Sequence, residues 1–252
     1  MGGPLLPDRE FLYRRISEAM VEAVAEGQPG RVLDVGSGGS RELLRLAQLG
    51  WQAHAADPSV HMLGFSRLAA LESGAALHLV RAIGERLPFA NGSLDAVACQ
   101  EALDHFADAG AFMKEATRVL KPDGRCVVSL ANFDGLACRL GRPLHPLARR
   151  SGLHHCGSES NCWQIPLDHT FKGNWQVIRH LGEPWLTLDR AFGVSLLCMV
   201  YGWGHLLKRL PASVRGRLLR LGDRIAYGRP SWADVIVSVW RPVSSDDSAA
   251  SY

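Results

Sequence analysis

The spacing of hydrophobic positions changes several times along the chain. Arg9–Glu26 offers Phe11, Ile16, Met20, Val21 and Val24 to one face, which predicts a helix started near Asp8 and ended by Gly27–Gly30. Arg31–Val35 is instead a short, continuous apolar run with one carboxylate, Asp34, near its end, and reads as a buried parallel strand. Ser40–Leu49 returns to helical spacing, and the alternation then repeats. Trp51–Ala56 predicts a strand, Ser59–Leu71 a helix and Leu77–Arg81 a third strand. The turn-rich stretch Leu87–Asp95 leads into a fourth strand, Ala96–Cys99. Glu101–Phe106 begins a helix, Ala109–Leu120 forms another, and Lys121–Gly124 reads as a β-turn into a fifth strand, Arg125–Leu130. Strands alternating with helices at this spacing predict an α/β chain built on a Rossmann-like, doubly wound sheet.

Beyond this point the order loosens. Asn132–Thr170 has little periodicity but several Pro, Gly, His and Cys, and is longer than an ordinary connection, which marks a functional cap. Lys172–Leu181 is helical, Trp185–Leu188 strand-like, and Phe192–Tyr227 a second, largely helical excursion. Ala233–Trp240 is a strong final strand, and Ser244–Tyr252 reads as a disordered tail. The expected organisation is a single domain over 1–252: an N-terminal helix (1–30), a binding core (31–131), a cap loop (132–171), a helical lid (191–231) and the tail (244–252).

The candidate chemistry starts between the first strand and the second helix. Gly36, Gly38 and Gly39 allow positive φ and let a ligand lie against bare backbone, and the helix start behind them presents unpaired N–H groups. A strand, a glycine-rich turn and a helix make a nucleotide-shaped hollow at the carboxyl edge of a sheet. No Gly-Lys-Ser/Thr closes the loop, so it is not a P-loop, and Arg41 stands where a dinucleotide fingerprint has its third glycine. Asp34 would repel a pyrophosphate and suits a cation instead.

Composition changes this picture little. At 252 residues and 47% hydrophobic content the chain can bury a full core, and a formal net charge of +3 does not argue for nucleic acid. No apolar run has the length of a membrane span, and no signal-peptide pattern opens the chain. Six scattered cysteines without a Cys-x-x-Cys pair predict a reduced, cytoplasmic protein, with Cys99 and Cys126 as small core hydrophobes.

Four further stretches stand in register with the glycine loop. Asp57 ends the second strand, and Glu85–Val97 reads Glu-Arg-Leu-Pro-Phe-Ala-Asn-Gly-Ser-Leu-Asp-Ala-Val. Ala102–Asp108 reads Ala-Leu-Asp-His-Phe-Ala-Asp, and Leu120–Val128 opens Leu-Lys-Pro-Asp-Gly. With Asp34-x-Gly36-x-Gly38 these resemble the class I S-adenosylmethionine-dependent methyltransferases, in particular the small-molecule type 11 group. The resemblance implies a seven-stranded sheet of order 3-2-1-4-5-7-6 with the seventh strand antiparallel. It implies S-adenosyl-L-methionine as cosubstrate and S-adenosyl-L-homocysteine as product, held by Asp34, Gly36, Ser37 and Gly38. Asp57 and Pro58 would meet the ribose, Ile83, Gly84 and Glu85 the adenine, and Gln100 and Glu101 the methionine end. Asp57 also reads as a helix N-cap before Pro58, and Glu101 as a first-turn acid complementing a helix dipole. Ile83 departs from the family, which often places Asp there.

In-line displacement at a sulfonium carbon needs alignment and, for a hydroxyl acceptor, removal of its proton. His105 and His169 are the candidate bases; each also reads as a structural histidine. Cys156, Cys162, His154, His155 and His169 lack zinc-knuckle spacing, so no metal is expected. The reading is a methyltransferase for a small-molecule acceptor, with oxygen as the leading target. A lipid-linked or saccharide acceptor and a silent cosubstrate-binding regulatory module are the alternatives. No nucleic-acid partner is expected, since no Asn/Asp-Pro-Pro-Tyr/Phe motif or appended basic domain is present. Val214, Leu218, Leu221 and Ile225 share one helical face among Arg215, Arg217, Arg220 and Arg224. That face reads either as the underside of a lid over the acceptor or as a peripheral membrane contact.

Overall fold

The computed structural model describes residues 5–150, 169–198, 200 and 202–243. Seven strands form one sheet in the order β3-β2-β1-β4-β5-β7-β6. They are β1 Arg31–Val35, β2 Gln52–Ala56, β3 Leu77–Val80, β4 Leu94–Gln100, β5 Leu120–Ala131, β6 Leu186–Val194 and β7 Val235–Pro242. The pairs from β3 to β5 are parallel, and β7 runs antiparallel to both of its neighbours. The helices are α1 Pro7–Ala25, α2 Arg41–Gln48, α3 Val60–Ser73, α4 Ala109–Val119, α5 Leu136–Arg150, α6 Trp175–His180, α7 Trp203–Arg209 and α8 Ala212–Gly228. The predicted fold class and strand order are those observed.

The period of two along each strand explains how the layers form. Val32, Ala53, Ala96 and Val127 enter one core cluster, which contains Ile16 and Met20 of α1 and Leu43 and Leu46 of α2. Their neighbours Leu33, Val97, Cys126 and Val128 enter the other, with Phe112 and Met113 of α4 and Ile178 of α6. Cys99 and Cys126 are fully buried, as core hydrophobes should be. With both faces covered, the central strands leave polar chemistry to their ends.

Several boundaries differ from the sequence reading, each for a local reason. α1 begins at Pro7 behind the cap residue Leu6, so Asp8 is not the cap; it lies inside the first turn and is 2% exposed. Ser40 is left-handed (φ 52°), which delays α2 to Arg41. Lys121–Gly124 is no separate turn. Leu120 pairs with Leu94 and Arg125 with Ala96, so the extra residues form a bulge inside one continuous strand. The helix expected from Glu101 is a single 3-10 turn, Leu103–His105, because Glu101 is left-handed (φ 48°) and Phe106 is extended. The cap is not loop throughout, since α5 occupies Leu136–Arg150 despite Pro143 and Pro146. β6 runs to Val194, so the second excursion starts three residues later than Phe192. The 244–252 tail and the cap residues His154, His155, Cys156, Cys162 and Trp163 lie outside the described residues.

Phe112 is fully buried and meets the Phe106 ring edge-on at 5.3 Å, which joins α4 to the segment leaving β4. Phe112→Ala is expected to lower unfolding stability by about 3–5 kcal/mol, measured by urea titration. A loss below about 1 kcal/mol would show that this contact does not hold the layer.

Candidate active site

The glycine loop is held rigidly by its neighbours. The N–H groups of Gly36 and Ser37 both donate to Ala56 O, at 2.9 and 3.2 Å. Gly38 N–H donates to Asp57 Oδ2 (3.1 Å), and Asp57 Oδ1 accepts from Ser59 N–H (2.8 Å). Ser66 Oγ donates to Gly38 O at 2.7 Å and lies 2.8 Å from Ser40 Oγ. Gly36 has φ +70°, and a Cβ there would stand 2.6 Å from that of Ala102. Only glycine fits both demands. The N-cap of α3 is Ser59, whose hydroxyl accepts from Met62 N–H at 3.3 Å. Asp57 is therefore a tie between the ends of β1 and β2 rather than the cap itself.

One end of this hollow is acidic and short of partners. Asp34 is 4% exposed, and its Oδ1 accepts no hydrogen bond. Burial pushes its carboxyl well above the usual range, and the neighbouring Glu42 and Asp57 push it further. Gln100 Nε2 lies 3.4 Å from Glu42 Oε1, while Gln100 Oε1 and Ser37 Oγ are also buried without hydrogen-bond partners. Met20 and Val24 of α1 line a small cavity beside Asp34, Glu42 and Gln100. Unsatisfied buried oxygens on this scale cost stability unless a ligand cation meets them. The donor set fits an ammonium or sulfonium group and not a pyrophosphate.

The neighbouring positions divide by environment. Ile83 is 52% exposed at the mouth, and Gly84 lies so close to the Phe106 ring that any side chain would collide with it. Glu85 Oε1 accepts from Asp108 N–H at 3.2 Å, and Pro58 O accepts from Arg81 Nε at 3.1 Å. Glu85 thus organises the approach to α4. Glu101 is half-buried, and its N–H is held by Ser129 through both the carbonyl (3.2 Å) and the hydroxyl (3.1 Å). Burial, reinforced by the Asp104 charge, raises the Glu101 carboxyl to about 7. No α-helix starts at Glu101, so the dipole reading does not apply.

His105 and His169 are brought together, with Asp104 between them. His169 Nδ1 lies 3.0 Å from Asp104 Oδ2, His105 Nε2 lies 4.0 Å from Asp104 Oδ1, and the two imidazoles meet edge-on at 4.6 Å. His169 is mostly buried and His105 is 43% exposed. Thr170 anchors the distant segment, donating its N–H to Asp104 O at 2.7 Å and its hydroxyl to Phe106 O at 2.8 Å. Among the described residues these three side chains place donor atoms within 4.8 Å of one another, a spacing that could also hold a metal ion. The expectation of no metal weighed His169 with His154, His155, Cys156 and Cys162, which lie outside the described residues; the cluster found here joins His169 to Asp104 and His105 instead.

The strand order, the glycine loop and the acidic hollow define the class: this is the fold of the class I S-adenosylmethionine-dependent methyltransferases. Residues 33–128 match the family model for a methyltransferase domain of the type 11 group. A ubiquinone biosynthesis O-methyltransferase of Xanthomonas axonopodis pv. citri (strain 306) is 36% identical over 113 residues, 44% of this chain and 47% of that protein. A protein of the same name from Xylella fastidiosa (strain 9a5c) is 38% identical over 103 residues, 40% of this chain and 42% of that protein. The chain matches less than half the length of these relatives. Among solved structures, a Pyrococcus horikoshii protein superposes with a TM-score of 0.59 at 16% identity, covering 92% of this chain and 91% of the other. A geranyl diphosphate methyltransferase in complex with S-adenosylmethionine gives a TM-score of 0.58 at 14% identity, covering 90% and 84%. Both show the fold.

Sequence reasoning missed Glu42 and the part played by Asp104. Asp104 stood in the Leu-Asp-His motif, but only the packing of Thr170 shows it facing His169. Glu101 yields a pH test. Its carboxyl is raised from 4.5 to about 7, so between those values the native state keeps a proton that the unfolded chain has lost. Stability from this group should fall as pH rises from 4.5 to 7. Glu101→Gln should abolish that fall and be the more stable form at pH ~8 by on the order of 1 kcal/mol, read from denaturation at both pH values. Parallel pH profiles for the two proteins would show that Glu101 ionises normally.

Proposed function

We propose that this chain transfers a methyl group from S-adenosyl-L-methionine to an oxygen of a small-molecule acceptor and releases S-adenosyl-L-homocysteine. The observation that supports it most is the unsatisfied acidic hollow at the end of β1, at the same sheet edge as the Asp104–His169 pair. When bound, the cosubstrate supplies an electrophilic methyl group on a sulfonium centre. Asp34 and Gln100, with Glu42 beside them, would hold its cationic methionine end. Gly36, Ser37 and Gly38 would lie under it, and Asp57 and Pro58 would face the ribose. Ile83 and Gly84 would give the adenine an apolar wall, with Glu85 at its rim.

The chain's own contribution to chemistry is alignment and proton removal. Asp104 Oδ2 lies 3.0 Å from His169 Nδ1 without the alignment of a hydrogen bond. A small turn of the ring would make that bond, favour the tautomer with its proton on Nδ1 and leave Nε2 to accept the proton of an acceptor hydroxyl. His105, edge-on to the His169 ring, steadies the imidazole. The cap (132–171) and the segment 195–231 leave β5 and β6 at the carboxyl edge and would select the acceptor. The names of the curated relatives favour oxygen as the target. We place the protein in the cytoplasm, as one domain; no described helix is long and apolar enough to cross a membrane.

His169→Gln should lower kcat by roughly 10²–10⁴, the usual contribution of a positioned base, while S-adenosylhomocysteine affinity stays within about 0.5 kcal/mol. Radiolabelled methyl transfer to a panel of phenol, sugar and carboxylic acid acceptors provides the assay. Activity abolished by a chelator and restored by a divalent cation would reassign the Asp104–His105–His169 cluster to a metal. Asp57→Ala should weaken S-adenosylhomocysteine binding by about 1.5–3 kcal/mol in calorimetry. Unchanged affinity in the folded variant would remove Asp57 from the ribose site. Intact binding without turnover on any acceptor would favour the regulatory module.

A further inference from the structure

The face of α8 that reads from sequence either as the underside of a lid or as a peripheral membrane contact is turned outward. Val214, Leu218, Leu221 and Ile225 fall on one stripe of the helix, and each is between 38% and 56% exposed. The opposite side carries the contacts with the body of the protein. Leu219 packs with Phe11 and Leu207, Ala226 is fully buried, and Asp223 accepts from Arg15 Nε at 3.0 Å and from Ser195 N–H at 2.9 Å. The stripe is thus oriented outward by a paired acid and two buried residues behind it. It extends over roughly 16 Å at the helical rise per residue.

Its surroundings are strongly one-signed. From Trp203 to Trp232 the chain carries seven Lys and Arg against the single acid Asp223, in a protein whose formal net charge is only +3. Arg217 and Arg224 are exposed and lie together along one side of the stripe on its helical wheel, and Asp223 is already engaged on the far side. At the carboxyl end, Tyr227 and Trp232 are 52% and 38% exposed, and Arg229 lies over the Trp232 ring at 4.7 Å. A narrow apolar stripe with an arginine edge and aromatic side chains at one end matches an element that lies in the plane of a membrane interface.

We propose that the exposed face of α8 docks this protein onto an anionic lipid bilayer, independently of the methyl-transfer reading. Charge decides between the candidate occupants. A second copy packed antiparallel about a two-fold axis would set stripe against stripe and bring the two arginine edges together, with no free acid of α8 to answer them. Anionic headgroups supply that countercharge along the arginine edge, while the outer hydrocarbon takes the leucines and isoleucine. The location also has a consequence. β5 and β6 run in the same direction, so α5 and the α7–α8 segment leave the sheet at the carboxyl edge. The docked face would bring that edge, with the candidate site, close to the lipid.

Flotation of the full chain with vesicles tests this. Vesicles of phosphatidylcholine mixed with phosphatidylglycerol should carry the protein, pure phosphatidylcholine should not, and high salt should release it. The double variants Arg217→Glu/Arg224→Glu and Leu218→Asp/Leu221→Asp should each reduce the bound fraction about tenfold or more. These side chains are exposed, so melting temperatures should be unchanged, which separates lost docking from lost folding. Absence of binding to the phosphatidylglycerol vesicles would overturn the proposal, as would binding that survives in both variants. A wild-type dimer in sedimentation that Leu218→Asp/Leu221→Asp converts to monomer would assign the stripe to a second copy instead.

Discussion

A carboxylate that the fold buries without satisfying is the constraint around which the rest is arranged. Asp34 is the penultimate residue of a strand covered on both faces, with Glu42 and Asp57 as acidic neighbours and one oxygen unpaired. Such a group is unfavourable in the protein alone, and the layers of apolar packing on either side of the sheet must offset it. The devices beside it all limit relaxation. Asp57 ties Gly38 to Ser59, Ser66 ties Gly38 to Ser40, and Gly36 is wedged against Ala102. A hollow that cannot collapse keeps its unpaired oxygens pointed at a ligand position.

The second cluster is assembled from parts far apart in the chain. Asp104 and His105 come from the 3-10 turn after β4, whereas His169 arrives from the end of the cap. Two backbone carbonyls, of Asp104 and Phe106, hold Thr170 and so position His169 next to it. The left-handed Glu101 shortens the turn and lets the chain leave β4 sharply toward that point. Backbone hydrogen bonds, not side-chain packing alone, set the distance between Asp104 and His169.

The two halves of the carboxyl edge also differ in what covers them. Over β1 and β2 the helices α2 and α3 return at once, and the hollow is small and polar. Over β5 and β6 the excursions are long and carry exposed leucines, Leu140 and Leu144 on α5 and Leu218 and Leu221 on α8.

Periodicity alone predicted every strand and the alternation that makes the sheet, because burial on two faces requires continuous apolar runs and burial on one side requires helical spacing. The motifs from Asp34 to Leu120 carried the class of protein and the positions of Asp34, Gly36, Gly38 and Asp57, since that chemistry is local to strand ends and turns. What sequence could not show depends on contacts between distant segments. α5 forms despite two prolines and an aperiodic pattern, and β6 lengthens because β7 offers it a ladder through Val194. Asp104 became part of the site only when Thr170 docked beside it. The stripe on α8 was legible as a stripe, but which way it faced was decided by Leu219, Ala226 and the Arg15–Asp223 pair on the other side of the helix. A helical repeat names a face; only the packing behind it says whether that face is inside or out.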